Sequence, residues 1–152
     1  MKLICSLLLM LVTGFAVTYT TVGQVDTWYA TLHRSSLNPP DWIFTSVWTV
    51  LYILMGLSFW LVWKTPVSNL RNTAIIIFLV QLLLNFLWSF LFFNMHQVTL
   101  ALAAITSLWI MIILTMARFR PLSATAVWLL VPHLLWVSFA GILNFYFWRV
   151  NP

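Results

Sequence analysis

Apolar positions run along this chain in five long blocks, and polar or charged residues interrupt them at regular intervals. No Asp, Glu, Lys or Arg occurs within residues 3–23, 42–63, 73–93, 98–117 or 122–148. Each block meets the roughly 20 residues an α-helix needs to cross the hydrocarbon core of a bilayer. A helix satisfies its own backbone groups where lipid cannot. The pattern predicts an all-α integral membrane protein: one domain over residues 1–152, a bundle of five transmembrane helices. A signal peptide competes for the first block, because Lys2 precedes it. Its apolar character outruns the usual core of roughly 7–15 residues and ends without an A-x-A site, so a membrane span is expected.

The breaks between blocks carry their own chemistry. Asn38-Pro39-Pro40-Asp41 predicts a rigid turn into the second span, since proline fixes φ and restrains the residue before it. Asp41 is the expected helix cap there. Lys64-Thr65-Pro66 ends that span, Asn94-Met95-His96-Gln97 forms a short hairpin, and Arg118-Phe119-Arg120-Pro121 another. Trp28, Trp42, Trp60, Trp63, Trp128 and Trp148 lie near span ends, where indoles favour the interface. The connection 24–41 is the one long loop, and it holds Trp28, Tyr29 and Leu32 among polar residues. Long ordered loops are usually lids or binding loops, so it is expected to cover one mouth of the bundle.

Within the spans, polar and aromatic residues fall at helical spacing. Gln81, Asn85, Trp88 and Phe92 share one face of the third; Trp48, Tyr52, Met55 and Phe59 do so in the second. His133, Trp136, Ala140 and Asn144 follow in the fifth, with Ala140 leaving room between larger neighbours. Such residues have two readings. Buried amides hold membrane helices together, and a Trp stripe packs; converging indoles and amides also suit a flat, mostly apolar guest, with indole N–H and Asn85 as polar anchors. His133, after Pro132, has a structural reading too: its imidazole would satisfy a carbonyl that the proline leaves free.

Composition closes off other classes. The chain is 63% hydrophobic and 6% charged, against about 25% charged for a soluble domain. The net charge of +5 is scattered over span ends, which argues against nucleic acid as a partner. Lys2, Lys64, Arg71, Arg118 and Arg120 fall on one side of a five-span chain; Arg34 and Arg149, with both acids, Asp26 and Asp41, fall on the other. The positive-inside rule then predicts a cytoplasmic N-terminus and an outer first loop, in the inner membrane if the source is bacterial and otherwise in an organelle membrane. At ~1.5 Å rise per residue, Trp48 lies roughly 10 Å below the start of its span. With Asn85, Trp88 and Trp136 it predicts a site in the outer half, beneath the 24–41 loop. A single cysteine, Cys5, excludes an intrachain disulfide. No His or carboxylate stands at ligand spacing from His133, so no metal is expected, and no intramembrane acid offers a proton path. Absence of an internal repeat argues against a transporter of duplicated halves. Two weaker patterns are Leu143-x-x-Tyr146-x-x-Arg149, which fits a proposed sterol motif, and Ala103-x-x-x-Ser107, a small-residue pair that suits close helix approach and a homodimer.

Taken together, Trp28-Tyr29-x-x-Leu32, Pro39-Pro40-x-Trp42, Val47-Trp48-x-x-Leu51-Tyr52-x-x-Met55-Gly56 and Gln81-Leu82-x-Leu84-Asn85-x-x-Trp88-Ser89-x-x-Phe92-Phe93 resemble the tryptophan-rich sensory protein/translocator protein (TspO/MBR) family, also called the peripheral-type benzodiazepine receptor family. Pro132-x-Leu134-x-Trp136-Val137-x-Phe139-Ala140-x-x-Leu143-Asn144 with Trp148-Arg149 extends the likeness, which covers about residues 10–151. The resemblance implies a five-helix bundle, commonly dimeric, that binds porphyrins, sterols and benzodiazepine-site ligands under the first loop. The matching positions are Tyr29, Trp48, Asn85, Trp136 and Ala140. Because some members degrade protoporphyrin in light, it also implies Trp48 and Trp136 as candidates for photo-oxidative chemistry. Three positions depart from the family pattern: Arg34-Ser35 lacks the usual proline, His133 replaces a Tyr, and Phe145 displaces the Tyr of the sterol motif to Tyr146. The function expected is a receptor or sensor for tetrapyrroles such as protoporphyrin IX, requiring no cofactor. A light- and oxygen-dependent porphyrin-degrading enzyme and a tetrapyrrole or sterol transporter are the alternatives.

Overall fold

The computed structural model describes residues 1–25, 27–32 and 40–150. Asp26, Arg34 and Ser35, and the Asn38-Pro39 part of the expected turn, lie outside the described residues. Five long helices dominate: α1 (Lys2–Val25), α3 (Asp41–Trp63), α4 (Asn69–Ser89), α5 (Val98–Phe119) and α6 (Ala124–Val150), with a single-turn α2 (Trp28–Thr31) after the first. All five long helices are long and apolar enough to cross a membrane. Ser68 caps α4 by accepting the Arg71 N–H at 3.2 Å. At α3 the capping position is Pro40 and Asp41 is the first helical residue, so the expected Asp41 cap gives way to a proline that fixes the entry angle.

Around the bundle the helices follow in the order α1, α3, α6, α5, α4 and back to α1. Small residues permit the closest approaches. Ser6 donates to the Gly56 carbonyl at 2.6 Å, and Gly14 lies under the Tyr52 ring, where a Cβ would come within 2.8 Å of Cδ2. Ser58 donates to the Ala126 carbonyl at 2.7 Å, joining α3 to α6. Lys2 Nζ donates to the Trp63 carbonyl at 3.3 Å, so the start of α1 meets the end of α3. Lys64, Arg71, Arg118 and Arg120 belong to the same end of the bundle.

Among the described residues, two apolar clusters fill the interior. Met55, Phe59, Phe78 and Phe119 lead the one toward the basic end, with Phe59 stacked on Phe78 at 4.9 Å. Trp88, Phe92, Leu108 and Phe147 lead the one toward the opposite end. Near their junction, fully buried, stand Gln81, Asn85 and His133.

The helix after Ser89 widens into a π-helical turn, Phe90–Asn94. Met95 N–H reaches back to the Phe90 carbonyl at 3.1 Å and Gln97 N–H to the Leu91 carbonyl at 2.9 Å. Such wide turns are frequent at functional sites. This one brings Asn94 Nδ2 within 2.7 Å of the Thr20 carbonyl on α1, while His96 takes a left-handed φ of 55° to close the hairpin.

Candidate functional site

A cavity of about 460 Å³ lies among α1, α3 and α4, in the half of the bundle remote from the basic end. That volume falls in the range of roughly 300–1,000 Å³ typical of small-molecule sites. Aromatic side chains are half of its lining residues, among them Phe44 and Trp48 from α3, Trp88 from α4 and Phe93 from the π turn. Trp48 is the hub, its ring 5.9 Å from Tyr52, 6.1 Å from Trp88 and 6.1 Å from the His133 ring. Two of its lining residues, Phe15 on α1 and Trp42 on α3, are 72% and 70% exposed.

Local sequence explains these positions. The four-three-four spacing of Gln81, Asn85, Trp88 and Phe92 places all four side chains in the interior. Tyr52 and Asn85 both line the cavity, with the hydroxyl 2.8 Å from Asn85 Oδ1. The Asn85 amide nitrogen stands 3.4 Å from His133 Nε2, and the Gln81 amide nitrogen stands 3.5 Å from His133 Nδ1 and 3.9 Å from Met55 Sδ. The imidazole therefore meets two amides rather than a carbonyl freed by Pro132, which corrects the expectation for His133. Trp88 Nε1 donates to Asn144 Oδ1 at 3.0 Å, and Asn144 Nδ2 to the Val98 carbonyl at 3.1 Å, tying α4 and α5 to α6.

Of the residues singled out from sequence, Tyr29, Trp48 and Asn85 line this cavity together. Tyr29, on α2, is buried against Phe92, Phe93 and Phe147 at 6.1, 5.6 and 5.5 Å, so the described part of the loop closes one end of the site. Ala140 lines a small neighbouring recess with Tyr29, Phe44 and Trp88. Trp136 faces a shallow groove between α3 and α6, and Phe44, 5.6 Å from its ring, stands between it and the cavity. Trp48 and Trp136 thus lie on different sides of α3. Leu143 of the sterol motif is buried in the core, Tyr146 is half-buried and Arg149 exposed, so the three do not share one lipid-facing surface. Ala103 and Ser107 are exposed on α5 and make no close approach within the bundle.

The α1 wall was not anticipated. Gly14, Thr18 and Thr21 line the cavity, and Thr21 Oγ1 lies 3.1 Å from Ser89 Oγ. Their spacing of four and three, small or hydroxylated within an otherwise bulky apolar helix, is the signal that marks this face. At the rim, Trp28 stacks on His96 with ring centroids 4.2 Å apart, and His96 Nε2 lies 3.1 Å from Gln24 Oε1.

Against known proteins, a family model described as the TspO/MBR family matches residues 6–149. The tryptophan-rich protein TspO of Chlorobaculum tepidum is 44% identical over 148 residues, covering 95% of this chain and 92% of the relative. The tryptophan-rich sensory protein of Cereibacter sphaeroides is 37% identical over 128 residues, covering 83% and 78%. The translocator protein of Bos taurus is 33% identical over 141 residues, covering 91% and 83%.

Proposed function

The chain belongs to the TspO/MBR family of membrane proteins, and from that premise we propose that it is a membrane receptor or sensor that holds a tetrapyrrole, protoporphyrin IX or a relative, in the cavity among α1, α3 and α4. The observation that carries the reading is the wall itself: indole and phenyl faces around about 460 Å³, with Tyr52 and Asn85 as a polar anchor. Flat aromatic guests gain from such faces, with aromatic pairs contributing about 0.5–1.5 kcal/mol beyond area burial. The sensory name of one relative agrees with a binding role. Benzodiazepine-site ligands, also flat and carbonyl-bearing, suit the same walls. Porphyrin is ligand rather than cofactor in this reading.

With the N-terminus in the cytoplasm the cavity occupies the outer half of the bilayer, and the exposed Phe15 and Trp42 at its lining give an apolar guest a route in from lipid. A homodimer belongs to the reading, with Ala103 and Ser107 as an outward face of small side chains. Sterol is the weaker guest, because Leu143 points into the core.

Titration of the purified protein with protoporphyrin IX in darkness tests the reading through tryptophan fluorescence. Saturable quenching is expected, weakened about tenfold in Trp48→Leu from the stacking lost and less in Trp136→Leu. Absence of saturable quenching in the wild type would remove it. One observation favours the second reading, light- and oxygen-dependent breakdown of the porphyrin: Trp48 and Trp88 lie 6.1 Å apart on the cavity wall. Under illumination that reading expects a new absorbing product that Trp48→Phe suppresses, with Trp136 acting only through Phe44.

A further inference from the structure

The four-residue polar chain that runs from the cavity wall into the bundle centre has a direction, and the chemistry of its members fixes it. Tyr52, Asn85, His133 and Gln81 follow one another at 2.8, 3.4 and 3.5 Å. His133 is fully buried. The chain's two acids, Asp26 and Asp41, belong to the connection before α3 or to its first residue, so an imidazolium would be an unpaired charge in the core. The ring is therefore the neutral form, with one N–H and one bare nitrogen. Amide nitrogens stand on both sides of it, and two amides cannot both donate to one neutral imidazole. One of them must present its oxygen instead, which a half-turn of the amide group accomplishes at unchanged distances.

The two choices differ at Gln81. Turning Gln81 moves its NH2 to the place where Oε1 now has no partner and takes it away from Met55 Sδ. That leaves buried donors unmet, and orphaned buried N–H groups are rarer than under-satisfied carbonyls. Turning Asn85 leaves Gln81 donating both to His133 Nδ1 and to Met55 Sδ. His133 Nε2–H then donates to Asn85 Oδ1, and Asn85 Nδ2 donates to the Tyr52 oxygen. Every heavy-atom contact survives, and the one donor left over is the Tyr52 O–H, which lies on the cavity that Tyr52 lines, where a guest can meet it.

We propose that His133 is a positioning residue which, through Asn85, makes the Tyr52 hydroxyl a hydrogen-bond donor facing the cavity, so that the site selects ligands carrying a carbonyl or carboxylate acceptor at that wall. The proposal rests on the cavity being the ligand site, and it assigns the polarity of one wall. A guest offering only an N–H there leaves the Tyr52 O–H without an acceptor, whereas a carbonyl or carboxylate oxygen satisfies that buried donor.

Nitrogen NMR of the histidine-labelled wild-type protein in detergent tests the direction without any ligand. The His133 signals are identified among the three histidines by their loss in His133→Phe. A bare Nδ1 and a protonated Nε2 are expected; the proton on Nδ1, or on both nitrogens, overturns the proposal. Protoporphyrin IX, whose carboxylates supply the acceptor, tests the consequence. Tyr52→Phe and His133→Phe are each expected to weaken dark binding by about tenfold, the worth of one hydrogen bond, and the double variant no further, because both remove the same donor. Additive losses, or unchanged affinity in both, overturn it. A wild type that fails to bind protoporphyrin IX removes the tetrapyrrole reading, and the proton position then judges this proposal on its own.

Discussion

Trp88 and Asn144 show how single side chains here serve packing and site together. The indole N–H is buried and has Asn144 Oδ1 as its acceptor, and the same amide caps the Val98 carbonyl. Asn144→Leu keeps the volume but strands the indole N–H, at about 1–3 kcal/mol for a buried polar group left unpaired. Thermal unfolding in detergent should show that loss as a clearly lowered midpoint. Gly141→Ala, where a Cβ would meet nothing within 4 Å, should leave the midpoint unchanged. At this scale much of the interior could be read in advance. The spacing of Gln81, Asn85, Trp88 and Phe92 alone puts them on one face, and all four are buried. Spacing could not say which neighbour a face meets. Trp136 sits in register with His133 and Ala140, yet Phe44 comes between it and the cavity. The bonds His133 makes are equally silent in sequence, because they depend on two amides from another helix.

Between elements, the contact of α1 with α3 decides the shape of the cavity. Gly14 lets the Tyr52 ring lie against α1, and Gly56 does the same for Leu7. In Gly14→Ala the new Cβ would stand 2.8 Å from Tyr52 Cδ2, so the ring, held at its hydroxyl end by Asn85, has to shift. Protoporphyrin IX titration should then show several-fold weaker binding, with helix content by circular dichroism retained; unaltered affinity would mean that this wall does not touch the ligand. Gly56→Ala meets the far end of a flexible leucine first, Leu7 Cδ2 at 2.9 Å, and should be milder. Helix class and the five spans were legible because hydrocarbon imposes length and polarity on every crossing segment. The π turn at Phe90–Asn94 was not, since a backbone bond that skips one more residue has no side-chain signature. It nevertheless aims Asn94 at α1 and Phe93 at the cavity.

Over the whole molecule, charge and cavity occupy opposite ends. Lys2, Lys64, Arg71, Arg118 and Arg120 gather at the end where α1 begins, while the cavity lies toward Trp28 and His96. With the basic end in the cytoplasm, the orientation proposed above from the positive-inside rule, the cavity faces outward. Single cysteines at Val67 and Met95, both exposed at loops of opposite ends, test this once Cys5 is replaced by serine. In intact cells of a bacterial expression host stripped of their outer layer, a membrane-impermeant maleimide should label Met95→Cys, and Val67→Cys only after permeabilisation. The reverse pattern would turn the molecule over. The measurement that bears most directly on the central claim, that the space among α1, α3 and α4 holds a tetrapyrrole, is dark titration of protoporphyrin IX into the wild type and into a variant whose cavity is filled from α1 by Val17→Phe and Thr18→Phe, read by porphyrin absorbance. Saturable binding in the wild type and its loss in the filled variant, with helix content unchanged, is the result this structure predicts. Equal binding in the two would place the ligand elsewhere and contradict it.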